Sequence, residues 1–186
     1  MRFSNLLKGR TTESAIRLLL ESIGYRVTPL GVEKLLEEVK HLDAAEYASL
    51  DLPPYFRYLP DFAVSDPNMN EVFFIEVKFR KTFGYDVADE LHDTLSEQLN
   101  FWDQTYTLLS VAEPAHDYVS EEFFEHRYMR VIHSDNIDVL KERDTDPGKL
   151  FWKLDQLKDL FPAFEEGEEE KRADAITKIF RELGNL

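Results

Sequence analysis

"LPDFAVSDPNMNEVFFIEVKFRK", residues 59–81, decides the fold. Two apolar runs, 58–65 and 72–80, flank DPNMN, whose Asp, Pro and Asn are turn formers, and together they predict an antiparallel hairpin. Alternation along the second run sends Phe73, Ile75, Val77 and Phe79 to one face and Phe74, Glu76 and Lys78 to the other. Symmetric closure about a loop from Asp66 to Glu71 sets Asp61 opposite Glu76, with both side chains on the same face. Two carboxylates on neighbouring strands, with an ammonium one pleat away, make a site for a hard divalent cation plus a point charge. The plain alternative is an exposed cross-strand ion pair, worth at most about 1 kcal/mol. Against it stands the context: these charges interrupt a very apolar strand in the middle of the chain, and two adjacent carboxylates repel each other without a cation.

Working outward, TTESAIRLLLESIGY (11–25) opens on a threonine cap signal, spaces Ile16, Leu19, Leu20 and Ile23 as a helix does, and stops at Gly24. A short strand follows at 25–28, and residues 32–50 read as one amphipathic helix ending before Pro53 and Pro54. After the hairpin come a helix at 87–102, a strand at 105–112 and a strand at 128–134. Helices at 149–161 and 175–183 close the chain, separated by the acidic run EEGEEEKRAD (165–174), which reads as a solvated linker. The expected architecture is α/β: one domain over 1–186, with a core at about 8–134 and a C-terminal helical extension at about 149–186.

Composition narrows the function classes. With 43% hydrophobic residues and no apolar run near the roughly 18 residues of a membrane span, the chain reads as soluble, without membrane partners. No secretory signal opens it and it has no cysteine, so the expected location is cytoplasmic and thiolate metal sites are excluded. The five histidines show no H-x-x-x-H spacing, and there is no P-loop. The net charge of -15 argues against a general polyanion binder. Basic residues nevertheless gather near the start, where Lys8, Arg10, Arg17 and Arg26 face few acids.

Pro60-Asp61, followed after a gap by Glu76-Val77-Lys78, resembles the signature of the PD-(D/E)XK nuclease superfamily, the restriction-endonuclease-like fold. KGRTTESAIRLLLESIGYRV (8–27) resembles the opening helix of its archaeal Holliday-junction-resolvase branch, in which a glutamate near the helix start joins the site; Glu13 takes that position. The resemblance implies a mixed sheet of about four to five strands flanked by helices, with extra helices at the C-terminus. It implies Asp61 and Glu76 as ligands of Mg²⁺ or Mn²⁺, the Val77 carbonyl and Glu13 as further ligands, and Lys78 as the residue that orients or deprotonates the attacking water. Gln98, in QLNFW, resembles the supporting glutamine of some related nucleases; an ordinary helix-surface Gln is the alternative. Glu13 has its own alternative, a favourable contact with the helix dipole in a first turn.

The implied reaction is phosphodiester hydrolysis on nucleic acid, DNA ahead of RNA, as an endonuclease, with a homodimer or protein partner possible. Lys8, Arg10, Arg80, Lys81 and Tyr85 offer phosphate contacts or a stacking ring, with solubilising surface charge as the alternative. The segment 32–57 and the terminal helices exceed a minimal resolvase-like core. Two rivals follow: a catalytically silent subunit of this fold in a defence, repair or phage complex, and an acidic protein that mimics nucleic acid.

Overall fold

A computed structural model describes residues 3–35, 39, 41–66, 68–113, 128–144 and 146–161. The acidic run and the helix expected at 175–183 lie outside the described residues.

The protein is α/β, built on a five-stranded mixed sheet. Strands β1 (Arg26–Pro29), β2 (Phe62–Ser65), β3 (Val72–Thr82), β4 (Thr105–Glu113) and β5 (Met129–Ile132) lie side by side in chain order. β1, β2 and β3 pair antiparallel, β3 and β4 pair parallel across a helical crossover, and β5 returns antiparallel. The hairpin register is the one expected, with Ser65 opposite Val72 and Phe62 opposite Ile75. Its loop is closed by Asp66, which donates its N–H to the Glu71 carbonyl at 3.2 Å and accepts from Glu71 N–H through Oδ1 at 2.9 Å. That turn chemistry fixes which residues oppose one another, and hence where Asp61 falls.

Helix α1 (Phe3–Ser22) covers one face of the sheet and α5 (Tyr85–Leu99) the other. Ile16 and Leu20 of α1 pack on Val27, Phe62, Val64, Ile75 and Val77, which alternate inward along their strands. Ala88, Leu91 and Leu95 of α5 meet Leu109, Val111 and Ile132 on the opposite face. β4 is therefore buried on both sides over most of its length, and β3 at residues 75–77, which is why these strands read as near-continuous apolar runs. Helix α6 (Pro147–Lys153) adds Phe151 to the α5 side. Asp155 then bridges to Val131 on β5, and α7 (Leu157–Leu160) delivers Leu157 and Phe161 to the α1 side.

Several boundaries differ from expectation, each for a local reason. α1 begins at Phe3, so the threonines are interior: Thr12 Oγ1 donates to the Lys8 carbonyl at 2.8 Å instead of capping. Its end is as read, since Gly24 takes φ 94° and the N–H groups of Gly24 and Tyr25 cap Glu21 and Leu20 in a Schellman motif. The single helix expected at 32–50 is instead α2 (Val32–Leu35) and α3 (Ala44–Ser49), because Asp43 and Glu46 form a capping box that starts a new helix. Residues 54–57 form a helical turn, α4, with Pro54 in its first position, so β2 begins at Phe62 rather than 58. The helix expected at 149–161 is split at Asp155, whose carbonyl accepts the Val131 N–H in the bridge with β5.

Candidate active site

The sheet prepares the site by an inequality of strand lengths. β2 pairs with β3 only over Val72–Ile75, while β3 continues beside β4 as far as Thr82. Pro60 is buried at the head of β2 and has no N–H, so it cannot extend that ladder. From Glu76 onward one edge of β3 has lost its strand partner, and a side chain fills the vacated place. Asp61 Oδ2 accepts the Val77 N–H at 2.8 Å. A strand residue's N–H and C=O point to the same edge, so the Val77 carbonyl also faces the Asp61 side.

Glu76 lies on the opposite face from the α1 core and is only 8% exposed. Burying a carboxylate is costly unless it is paired and hydrogen-bonded, and here it is both. Lys78, one pleat along, donates Nζ to Oε1, and Gln98 of α5 donates Nε2 to Oε2 at 3.0 Å. The same Gln98 amide nitrogen donates to the Tyr58 carbonyl at 3.0 Å, using both of its protons and fixing the orientation of the amide. Gln98 is itself buried, so the helix-surface alternative does not apply.

The electrostatics are unbalanced. Asp61 is held well above the usual carboxylate range, first by burial, then by the negative charges of Glu76 and Glu13; the Val77 N–H and Lys78 pull the other way. Burial works to lower the Lys78 pKa, but Glu76 and Asp61 outweigh it and the net shift is upward, so the side chain is an ammonium. Glu13 is near enough to act on Asp61 through its charge. It sits in the middle of α1 rather than in a first turn, which removes the helix-dipole explanation for an acid there.

The outer cations are less well placed. Arg80 donates Nη2 to Glu90 at 2.7 Å and Nη1 to the Phe79 carbonyl, and Lys81 pairs with Glu113 at 3.4 Å. Tyr85 carries the Arg143 guanidinium 4.9 Å from its ring centre. Lys8 and Arg10 lie on the turn of α1 preceding Glu13. The structure thus brings together Asp61, Glu76, Val77, Lys78 and Gln98, with Glu13 at electrostatic range.

Sequence reading missed the neighbours of Gln98. Tyr58 supplies the carbonyl above and donates its hydroxyl to Glu97 at 2.6 Å, while Trp102 donates Nε1 to the Tyr55 carbonyl at 3.0 Å. The available signal was the aromatic density of PPYFRYLP (53–60), a segment with no strand alternation.

The donor set suits a hard divalent cation: carboxylate oxygens of Asp61 and Glu76 and the Val77 carbonyl on the Asp61 side, where negative neighbours already push the Asp61 carboxyl upward. Among the described residues, no group of three Asp, Glu, His or Cys side chains is already gathered as a cation cage. Comparison with protein-family models, curated proteins and solved structures returned no match. No described helix is long and apolar enough to cross a membrane.

Proposed function

We propose that the chain is a metal-dependent nuclease, cutting phosphodiester bonds of nucleic acid with DNA as the first choice. The observation that carries this reading is the Asp61 carboxylate docked on the Val77 N–H at the end of the β2–β3 ladder, beside a buried Glu76 that carries Lys78. The mixed sheet, with a helix ahead of the hairpin and a helical crossover after it, supports the resemblance to the PD-(D/E)XK superfamily. So does Gln98, which buttresses the glutamate.

Asp61 and Glu76 would hold Mg²⁺ or Mn²⁺, with the Val77 carbonyl on the same side and Glu13 within reach directly or through water. When bound, such a cation polarises a phosphoryl oxygen and acidifies a water. The chain's own residues do the rest. Gln98 donates to Glu76 Oε2 and so orients the carboxylate. Lys78, an ammonium, supplies a positive charge and three donors where negative charge develops on the phosphate. Its place one pleat from Glu76 suits charge stabilisation and positioning of the attacking water.

A second reading, a silent subunit of this fold or an acidic interaction protein, draws support from the net charge of -15 and from the ion pairs that occupy Arg80 and Lys81. The discriminating experiment is a cleavage assay with Mg²⁺ and Mn²⁺ over single-stranded, duplex and branched DNA and RNA. It is run beside Lys78→Ala and an EDTA control. Metal-dependent cutting lost in the variant supports the nuclease; no cutting on any substrate transfers the case to the second reading.

A further inference from the structure

The hydrogen bonds of Gln98 lead away from Glu76 to a group of aromatic rings that the catalytic reading does not use. Gln98 joins Glu76 Oε2 to the Tyr58 carbonyl, at 3.0 Å each, so Tyr58 is one side chain removed from the candidate metal ligand. The Tyr58 ring is stacked on Phe101, with centroids 5.4 Å apart and planes inclined by only 7°. Phe101 follows α5 directly and is 47% exposed, and Tyr55 nearby is 50% exposed. Behind them Trp102 is anchored through Nε1 to the Tyr55 carbonyl and packs edge-on against Phe74, the β3 residue two before Glu76.

Although about half of its surface faces water, the Phe101 ring lies parallel to Tyr58, whose hydroxyl is hydrogen-bonded to Glu97. A preordered, solvent-facing π surface on a rigid helix end suits a planar ligand. On the nuclease reading the local charges limit how phosphates are held: Arg80 and Lys81 are already paired with Glu90 and Glu113, and the chain as a whole carries -15. Phosphate attraction is therefore weak, and a nucleic acid needs another source of affinity. Stacking of a base supplies one that does not depend on sequence.

The geometry points to Phe101, backed by Tyr58, as a shelf on which an unpaired base stacks beside the Asp61–Glu76 centre, making the substrate a single strand or a strand end rather than an intact duplex. In a duplex every base face is already covered by its neighbours, and exposing one costs unstacking energy. This rests on the nuclease reading for the chemistry at Glu76, but the shelf itself is testable without cleavage.

The test uses the full chain carrying Lys78→Ala as parent, so that strands stay intact, and fluorescence anisotropy with labelled oligo-dT, a duplex and an abasic strand of the same length. The parent is expected to bind oligo-dT about tenfold or more tighter than the abasic strand or the duplex, with a shallow salt dependence. Adding Phe101→Ala should weaken oligo-dT binding about tenfold, and Phe101→Leu, which keeps apolar bulk on Tyr58 without a π face, should do the same. Phe101→Trp should preserve it. Equal binding of oligo-dT and abasic strands, binding indifferent to both Phe101→Ala and Phe101→Leu, or no binding of oligo-dT would overturn the shelf. The two readings fail separately: oligo-dT held through Phe101, with no DNA or RNA of the cleavage panel cut by the wild type, sinks the nuclease and keeps the shelf. Cutting that ignores Phe101 does the reverse.

Discussion

Two clusters of opposite charge sit on the α5 side of the sheet, and they are built on opposite plans. On the surface, Lys141 bridges Asp89 and Asp93 of α5 at 3.1 and 3.0 Å, and Arg143 joins at Asp89. Two carboxylates meet two cations, and Asp89 and Asp93 are both held below the usual carboxylate range, chiefly by the Lys141 hydrogen bond. At the sheet, Asp61 and Glu76 face one lysine, Lys78, and Asp61 is pushed upward, first by burial and then by the charges of Glu76 and Glu13. The exposed cluster is complete as it stands and pins α5 to the 3₁₀ turn Ile137–Lys141. The inner one disfavours Asp61 as an anion, an arrangement that costs stability unless something positive arrives.

The sharpest way to break this contrast is to remove the central cation of each cluster. Lys78→Ala is expected to reduce cleavage by about 100-fold or more while far-UV circular dichroism stays native. Lys141→Ala should leave the cleavage rate unchanged. Equal activity in wild type and Lys78→Ala would place Lys78 on the same structural footing as Lys141.

The next largest effect concerns the response to metal and pH. Because the Asp61 pKa is higher folded than unfolded, the unfolded chain releases that proton first, and this residue's contribution to stability falls as pH rises from the ordinary carboxylate range through the raised folded value. Asp89 and Asp93 have the opposite sign: their contribution is present above the ordinary range and lost as pH falls through their depressed values. Mn²⁺ should therefore raise the thermal midpoint more at pH 8 than at pH 5, since binding competes with the Asp61 proton. Saturation to about 100-fold above Kd contributes roughly 2.7 kcal/mol. Asp61→Asn should raise the metal-free midpoint at neutral pH and erase the Mn²⁺ response; Asp89→Asn should do neither. A midpoint that Mn²⁺ does not move in the wild type at either pH would mean that the excess charge is not a cation site.

The inner cluster was also the more legible of the two. Its register follows from a local rule, two strands closing symmetrically about an Asp-led turn, and the pairing of Phe62 with Ile75 bears that out. The outer one joins residues about fifty positions apart on elements whose packing no local pattern announces. Helix boundaries failed where a side chain chose between backbone partners. Asp43 and Glu46 held a capping box in plain view inside a run that was apolar enough to read as continuous, and Thr12 spent its hydroxyl on a helical carbonyl rather than a cap. Gln98 shows a different limit: the structure buries it on the α5 face that carries Leu91 and Leu95, and only tertiary packing supplies the Glu76 and Tyr58 acceptors.

Gln98 also offers the finer test, because it separates support of the site from support of the fold. Gln98→Ala leaves Glu76 Oε2 and the Tyr58 carbonyl with a lost donor in a buried place, a change expected to cost roughly 1–3 kcal/mol in urea unfolding. Gln98→Met removes the same donors while nearly preserving volume, so its cost isolates the hydrogen bonds from the cavity. If Gln98 positions the carboxylate, both variants should also weaken the Mn²⁺ response described above. Loss of stability with an unchanged metal response would make Gln98 a strut between α5 and Tyr58 only.

The smallest effect belongs to the outer cluster. Lys141→Ala removes exposed pairs that water and salt already screen, so its midpoint should shift by a small amount at low ionic strength and by almost nothing at 1 M NaCl, where the Debye length is about 3 Å. The Asp61→Asn shift should survive the same salt, because the charges it relieves lie within protein rather than solvent. A salt titration of the two variants side by side thus reads the depth of each cluster directly. Two shifts that vanish together would mean that water reaches Asp61 as freely as Asp89, and the case for an inner site short of positive charge would lose its physical basis.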